Sequence, residues 1–239
     1  LSLELDSVDV LCFGDTTGCT NVSAYGGTSA YSYLWSNGVT LTNICNLNAG
    51  WYSVTVEDFN QCNIIDSIIV NQPQFPISST ITTVNVNCFG DTTGSIDLSV
   101  FGGTSAYSFV WSESSTTEDI DSLLAGIYYV TITDANMCNL VSNVNITEPI
   151  SGLNLELDST DVDCYGNFTG AIDLTISGAT PGYSYIWSTG STNQDINNLQ
   201  ANSYVVIVTD ANNCIEIDSI IVVEPTELND FLTQCKSID

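Results

Sequence analysis

The sequence predicts an all-β chain of three tandem antiparallel sandwich domains, and three observations carry that reading. A 76-residue period joins Cys12, Cys88 and Cys164, then Cys62, Cys138 and Cys214, then Trp35, Trp111 and Trp187. Inside each period apolar residues alternate singly with polar ones, the spacing of a strand and not of a helix. The apolar share of 44 %, rich in Val, Ile, Tyr and Trp, suffices to bury a core despite a net charge of −27.

Taken in order, each copy first shows Cys12-Phe13-Gly14-Asp15-Thr16-Thr17-Gly18, repeated identically from Cys88 to Gly94 and varied from Cys164 to Gly170. In the second copy Ile96, Leu98 and Val100 then alternate with Ser95, Asp97 and Ser99. The run from Gly26 to Trp35 aligns without gaps with Gly102 to Trp111 and Gly178 to Trp187. Further on, Tyr128, Val130 and Ile132 alternate with Tyr129, Thr131 and Thr133. Short β-branched and aromatic runs between Gly, Asn and Asp turns are strands. About seven per period, with no helix to cover a parallel sheet, give an antiparallel sandwich. Pro73, Pro149 and Pro225 close the copies, so the domains span 1–74, 75–151 and 152–227, with a tail at 228–239.

Composition removes most functions. There are 28 acidic residues against one Lys, Lys236, with no Arg and no His. Phosphate-backbone binding, imidazole catalysis and phosphoryl clamps all need the missing side chains. No apolar run reaches the length of a membrane span. The chain starts without Met or a signal peptide, which reads as a piece of a longer protein.

A domain of this size has a marginal core, and cystine is the expected remedy. Pairs Cys12–Cys62, Cys88–Cys138 and Cys164–Cys214 each close a 51-residue loop, worth roughly 4 kcal/mol by chain entropy. Cys19 corresponds to Ser95 and Ala171 in the later copies, and Cys45 to Asp121 and Asn197, so Cys19–Cys45 is an extra staple. Cys235 has no repeat partner; it is free, intermolecular, or parted from its mate. Eight paired cysteines imply an oxidising, extracellular compartment. Reduced thiols or zinc are the rival, and the lack of CxxC and His speaks against zinc.

The run from Gly102 to Trp111, followed by Leu124 to Cys138, resembles the SprB repeat, and the resemblance covers nearly all of residues 1–226. Trp51 and Ser203 depart from Ile127, and Asn202 from Gly50 and Gly126. The family implies tandem modules of very large Bacteroidota surface proteins exported by the type IX system. The fold it implies is three tandem immunoglobulin-like antiparallel β-sandwich domains, one disulfide per repeat plus one extra in the first. The function it implies is a non-enzymatic extracellular adhesive or structural module: an adhesin stalk, surface attachment or gliding. Two alternatives stand beside it: a subunit of a homopolymeric filament joined through Cys235 or open edge strands, and an accessory module of a secreted polysaccharide-degrading enzyme. Expected partners are neighbouring repeats, copies of the same chain or surface glycans, with no nucleic acid and no direct membrane insertion.

Carboxylates are the remaining chemistry. Asp58 with Asn60, Asp134 with Asn136, and Asp210 with Asn212 place oxygens two residues apart before each second cysteine. Such oxygens suit Ca²⁺, the one cofactor the pattern admits; an Asx-turn explains them as well. Asp15 and Asp91 are further candidates, weakened by Asn167 in the third copy, and Glu148 and Glu224 stand in the linkers. Acids spread over three near-copies do not make a glycosidase pair. Tyr31, Tyr33 and Trp35 offer faces for a sugar, but a sandwich core with Trp facing the disulfide is the simpler reading. Trp51 is the aromatic expected at the surface. Asp-Ser-aliphatic triplets resemble a Bacteroidota O-glycosylation motif and put forward Ser7, Ser67, Ser122 and Ser219.

Overall fold

The computed structural model describes residues 1–227, and every regular element among them is a strand. The first repeat forms β1 (Ser2–Val8), β2 (Gly18–Tyr25), β3 (Ser32–Trp35), β4 (Asn43–Leu47), β5 (Gly50–Glu57) and β6 (Asn63–Val70). The second forms β7 (Ser78–Val84), β8 (Gly94–Phe101), β9 (Ser108–Trp111), β10 (Ile120–Leu123), β11 (Gly126–Thr133) and β12 (Asn139–Ile146). The third forms β13 (Asn154–Thr160), β14 (Gly170–Ser177), β15 (Ser184–Trp187), β16 (Ile196–Leu199), β17 (Asn202–Thr209) and β18 (Ile215–Val222).

Each set makes two three-stranded antiparallel sheets, ordered β1-β2-β4 and β3-β5-β6 in the first repeat. That is the A-B-E and C-F-G pairing of an immunoglobulin-like sandwich with strand D left out. Six strands stand where about seven were expected, and the reason is local. Only seven residues separate Trp35 from Asn43. They curl round the indole instead of crossing the sheet: the Trp35 backbone N–H donates to the Val39 carbonyl at 2.8 Å, and its Nε1 donates to that of Leu41 at 2.9 Å. Trp111 and Trp187 repeat the bond to Thr117 and Asn193.

Alternation decides burial. Along β5, Val54 and Val56 are buried against Val10, Val22, Trp35 and Val70 in one core cluster. Val206, Val208, Leu174, Trp187 and Val222 do the same in the third repeat. Trp35, Trp111 and Trp187 are each at most 2 % exposed, which makes them core residues. They line no internal disulfide, because the repeats contain none between their sheets.

Packing gathers the chain into two compact units. One holds Leu1–Thr83, Ser95–Asp121 and Ile127–Asn145; the other holds Val84–Gly94, Ser122–Gly126 and the described residues from Ile146 to Glu227. The second repeat's Cys88 loop therefore belongs with the third repeat.

Candidate functional site at the repeat junctions

Two loops of each repeat are built the same way three times. The first follows β1. Asp15 N–H donates to the Cys12 carbonyl at 3.1 Å, closing a tight turn with Gly14 at φ +81°. A positive φ at that third position is why Gly occupies it here and at Gly90 and Gly166. Thr17 Oγ1 accepts from Leu11 N–H at 2.9 Å, and Gly14 N–H donates to Gln72 Oε1 at 2.9 Å. In the later copies Glu148 and Glu224 take the place of Gln72, accepting from Gly90 and Gly166. Those linker acids thus serve their own repeat's turn.

The second loop lies between β5 and β6 and is organised by Asp58, which is 5 % exposed. Its Oδ1 accepts from Asn60 N–H and Cys62 N–H, both at 2.9 Å, and its Oδ2 accepts from Thr28 N–H at 2.9 Å. These amides, Thr28 foremost and then Cys62, hold the Asp58 carboxyl below its ordinary value. Asp134 and Asp210 accept the same three bonds. In the first two repeats the second Gly of Gly-Gly-Thr leaves this carboxylate room, since a Cβ at Gly103 would sit 2.7 Å from Asp134 Oδ2, whereas the third repeat holds Ala179 there at φ 49°. Three N–H dipoles converging on a carboxylate favour an anion, so the Asp-x-Asn pattern is an Asx-turn here. Among the described residues no group of three or more His, Cys, Asp or Glu is placed to hold a metal.

The two loops meet between repeats. Cys12 is bonded to Cys138, and Cys88 to Cys214, with Cα atoms 5.7 Å apart in each case. This corrects the expected pairs Cys12–Cys62, Cys88–Cys138 and Cys164–Cys214. The reason is the length of β6. Val10 N–H donates to Asn71 carbonyl at 2.8 Å, which fixes the Cys12 loop at the far end of β6. Cys62 immediately precedes that strand's start, and eight residues of strand span about 25 Å. A disulfide needs Cα atoms within about 7 Å, and only the next repeat brings a second-loop cysteine that close. Cys19–Cys45 is present as expected, on directly paired residues of β2 and β4.

A side-chain amide accompanies each bridge. Asn136 Nδ2 donates to the Leu11 carbonyl at 2.9 Å, and Asn212 Nδ2 to the Asn87 carbonyl at 2.9 Å. Beside these contacts lie open clefts, of about 460 Å³ next to Phe13, Ile77 and Met137 and about 350 Å³ next to Phe89 and Leu153. Cys62 and Cys164 are exposed free thiols. Cys235 lies outside the described residues.

The other candidates are distributed over the strands. Tyr31, Tyr107 and Tyr183 hydroxyls donate to the Gly26, Gly102 and Gly178 carbonyls at 2.5–2.7 Å, which ties these rings to their own repeat. Trp51 is 69 % exposed, and Ile127 at the same position is 58 % exposed, so exposure there is not special to Trp. Ser67, Ser122 and Ser219 are exposed on β6, β10 and β18, and Ser7 is half-buried on β1. Sequence reasoning passed over Asp173, where Asp195, through a hydrogen bond and its charge, raises the carboxyl above its usual range. Asp158, paired with Asp173 across β13 and β14, adds a smaller repulsion.

The SprB repeat model matches residues 5–40, 80–116 and 157–192. The chain thus carries three regions that match the SprB repeat, one in each copy. Each match covers the first half of its repeat, through β3, β9 and β15. No curated protein matches. Among solved structures, Drosophila OTK extracellular domains 3–5 resembles this chain at 12 % identity and TM-score 0.32, over 93 % of this chain and 92 % of that one. The Dpr2 Ig1–Ig2 complex with DIP-Theta Ig1–Ig3 gives 10 % and 0.31, over 92 % and 97 %. DSCAM isoform 1.30.30, N-terminal eight Ig domains, gives 10 % and 0.36, over 94 % and 43 %. These likenesses are loose, and the immunoglobulin-like assignment of the three repeats stands on strand order.

Proposed function

We propose that the three SprB repeats form a non-enzymatic extracellular stalk of a bacterial surface protein, holding an adhesive region away from the cell. The observation that carries this reading is the pair of bridges Cys12–Cys138 and Cys88–Cys214. A single linker between domains leaves relative motion as the default. A second covalent link at each junction restricts that motion and carries tension alongside the linker. Three disulfides suit an oxidising compartment, and no helix among the described residues is long and apolar enough to cross a membrane. The charge of −27 keeps neighbouring chains apart in salty water, where screening acts over about 8 Å or less.

Electron microscopy of whole cells with antibody to this chain tests the reading. Thin surface threads carrying label along their length are the expected result. Label confined to the cell interior would sink it, and so would reduced, alkylatable Cys12 and Cys88 in the protein taken from cells.

A further inference from the structure

Cys62 and Cys164 are the unused halves of a junction that the chain makes twice. The Cys62 loop has every feature of the closed Cys138 and Cys214 loops. Asp58 N–H donates to the Cys62 carbonyl at 3.0 Å, as Asp134 N–H does to that of Cys138 and Asp210 N–H to that of Cys214. Gln61, Met137 and Asn213 share a φ of 64–67°. Asn60 Nδ2 is held by Thr28 Oγ1 at 2.9 Å, as Asn136 is by Thr104 and Asn212 by Thr180. Among the described residues, the amide hydrogen that Asn136 and Asn212 give to the preceding repeat has no acceptor on Asn60. Burial reports the same difference: Cys138 is 8 % exposed, whereas Cys62 is exposed.

The other half is equally complete. Asn167 N–H donates to the Cys164 carbonyl at 3.0 Å, closing the turn seen at Cys12 and Cys88. The Thr169 hydroxyl, at 2.7 Å, and the Asn167 amide hold the Asp163 carboxyl below its ordinary value and tie the loop together. The Asp163 carbonyl stands where those of Leu11 and Asn87 accept the junction amide.

We infer that Cys62 and Cys164 are covalent docking sites for further SprB-type repeats, Cys62 taking a first-loop cysteine and Cys164 a second-loop cysteine. Each site fits the other, so a second copy of this chain is a sufficient partner, joined Cys164 to Cys62. The bond forms by exchange with a disulfide donor, a small-molecule disulfide or a disulfide oxidoreductase. The Cys164 thiolate attacks the donor S–S bond and expels one donor thiolate. The Cys62 thiolate of the second copy then attacks the Cys164 sulfur and expels the other. The donor takes two electrons, and the two cysteine protons end on its thiols. Asn60, donating to the Asp163 carbonyl of the other copy, orients the approach.

The test uses the full chain with Cys235→Ser, carrying either Cys62→Ser or Cys164→Ser, in a glutathione redox buffer. An equimolar mixture is expected to give one dimer, on the order of tenfold more than either variant alone, because loop docking raises the effective thiol concentration. Its unreduced peptide map holds Cys62–Cys164, and the Cys12–Cys138 and Cys88–Cys214 peptides certify folding. A mixture no better than its components, with those internal bridges intact, overturns the inference. A second arm alkylates the native protein before digestion. A Cys62–Cys164 peptide identifies a second copy as neighbour, and a link to a cysteine of another SprB-type repeat identifies a non-identical one. Both thiols alkylated overturns it. The inference rests on an oxidised setting, as the stalk reading does, but the recombinant arm decides it without reference to where the protein resides.

Discussion

The Cys62 loop of the first repeat and the Cys138 loop of the second have one backbone and two environments. Both hang from a buried Asp that accepts three N–H groups. Only one is bridged. The disulfide therefore does not shape the loop; the carboxylate does, and the bridge uses a conformation already in place. A loop that is complete before it docks loses little freedom on docking, which suits a junction made repeatedly along a chain.

The largest effect that sharpens this contrast is removal of a bridge. Cys12–Cys138 spans 126 positions, and closing such a loop is worth up to about 5 kcal/mol by chain entropy. Cys12→Ser is expected to lower the urea midpoint accordingly, while Cys62→Ser shifts stability by less than about 0.5 kcal/mol. Equal losses in the two variants would restore the pairing within repeats.

The next effect removes the shared anchor. Asp134→Ala leaves three amides without their acceptor and is expected to cost about 2–4 kcal/mol. Asp58→Ala is expected to destabilise its repeat too, although Cys62 is unpaired; a silent Asp58→Ala would mean that the bridge holds the loop after all. Thermal unfolding of both variants reads this.

Smaller still are the acid titrations, which carry opposite signs. The Asp58 carboxyl is depressed on folding, so its contribution is present above the ordinary carboxylate value near 3.8 and fades as pH falls through the lower folded value. Asp58→Asn is expected to flatten the acid limb of stability against pH. Asp173 is raised, so its contribution is present below 3.8 and lost as pH rises through the folded value. Asp173→Asn is expected to stabilise the third repeat at neutral pH, with no gain in strong acid.

The smallest expected effect is that of calcium. With the Asp58, Asp134 and Asp210 oxygens already accepting amides, millimolar Ca²⁺ or a chelator is expected to leave the unfolding temperature unchanged. A rise with Ca²⁺ that Asp134→Asn abolishes would return the Asp-x-Asn pattern to metal binding.

Much of this protein is legible along the chain because its signals are local. Alternation at Tyr128, Val130 and Ile132 fixes a strand and its buried face, since successive side chains point to opposite sides. The Trp35 indole is too large and apolar to leave outside a sandwich core, and Gly14 marks a turn that other residues strain to make. A repeat at 76 residues states that a loop built in one copy is built again in the others. The same periodicity hides the disulfide register. Cys12 with Cys62 and Cys12 with Cys138 fit the period equally well, and the first choice has the appeal of leaving no repeat cysteine over. What decides between them is distance: β6 puts the two loops of one repeat at opposite ends of the sandwich, while the next repeat presents its second loop beside Cys12. The sequence by itself determined which cysteines, acids and turns form each loop. Only the tertiary structure decided that the loops join repeat to repeat, because a disulfide forms between neighbours in space and a strand's length separates those within a copy.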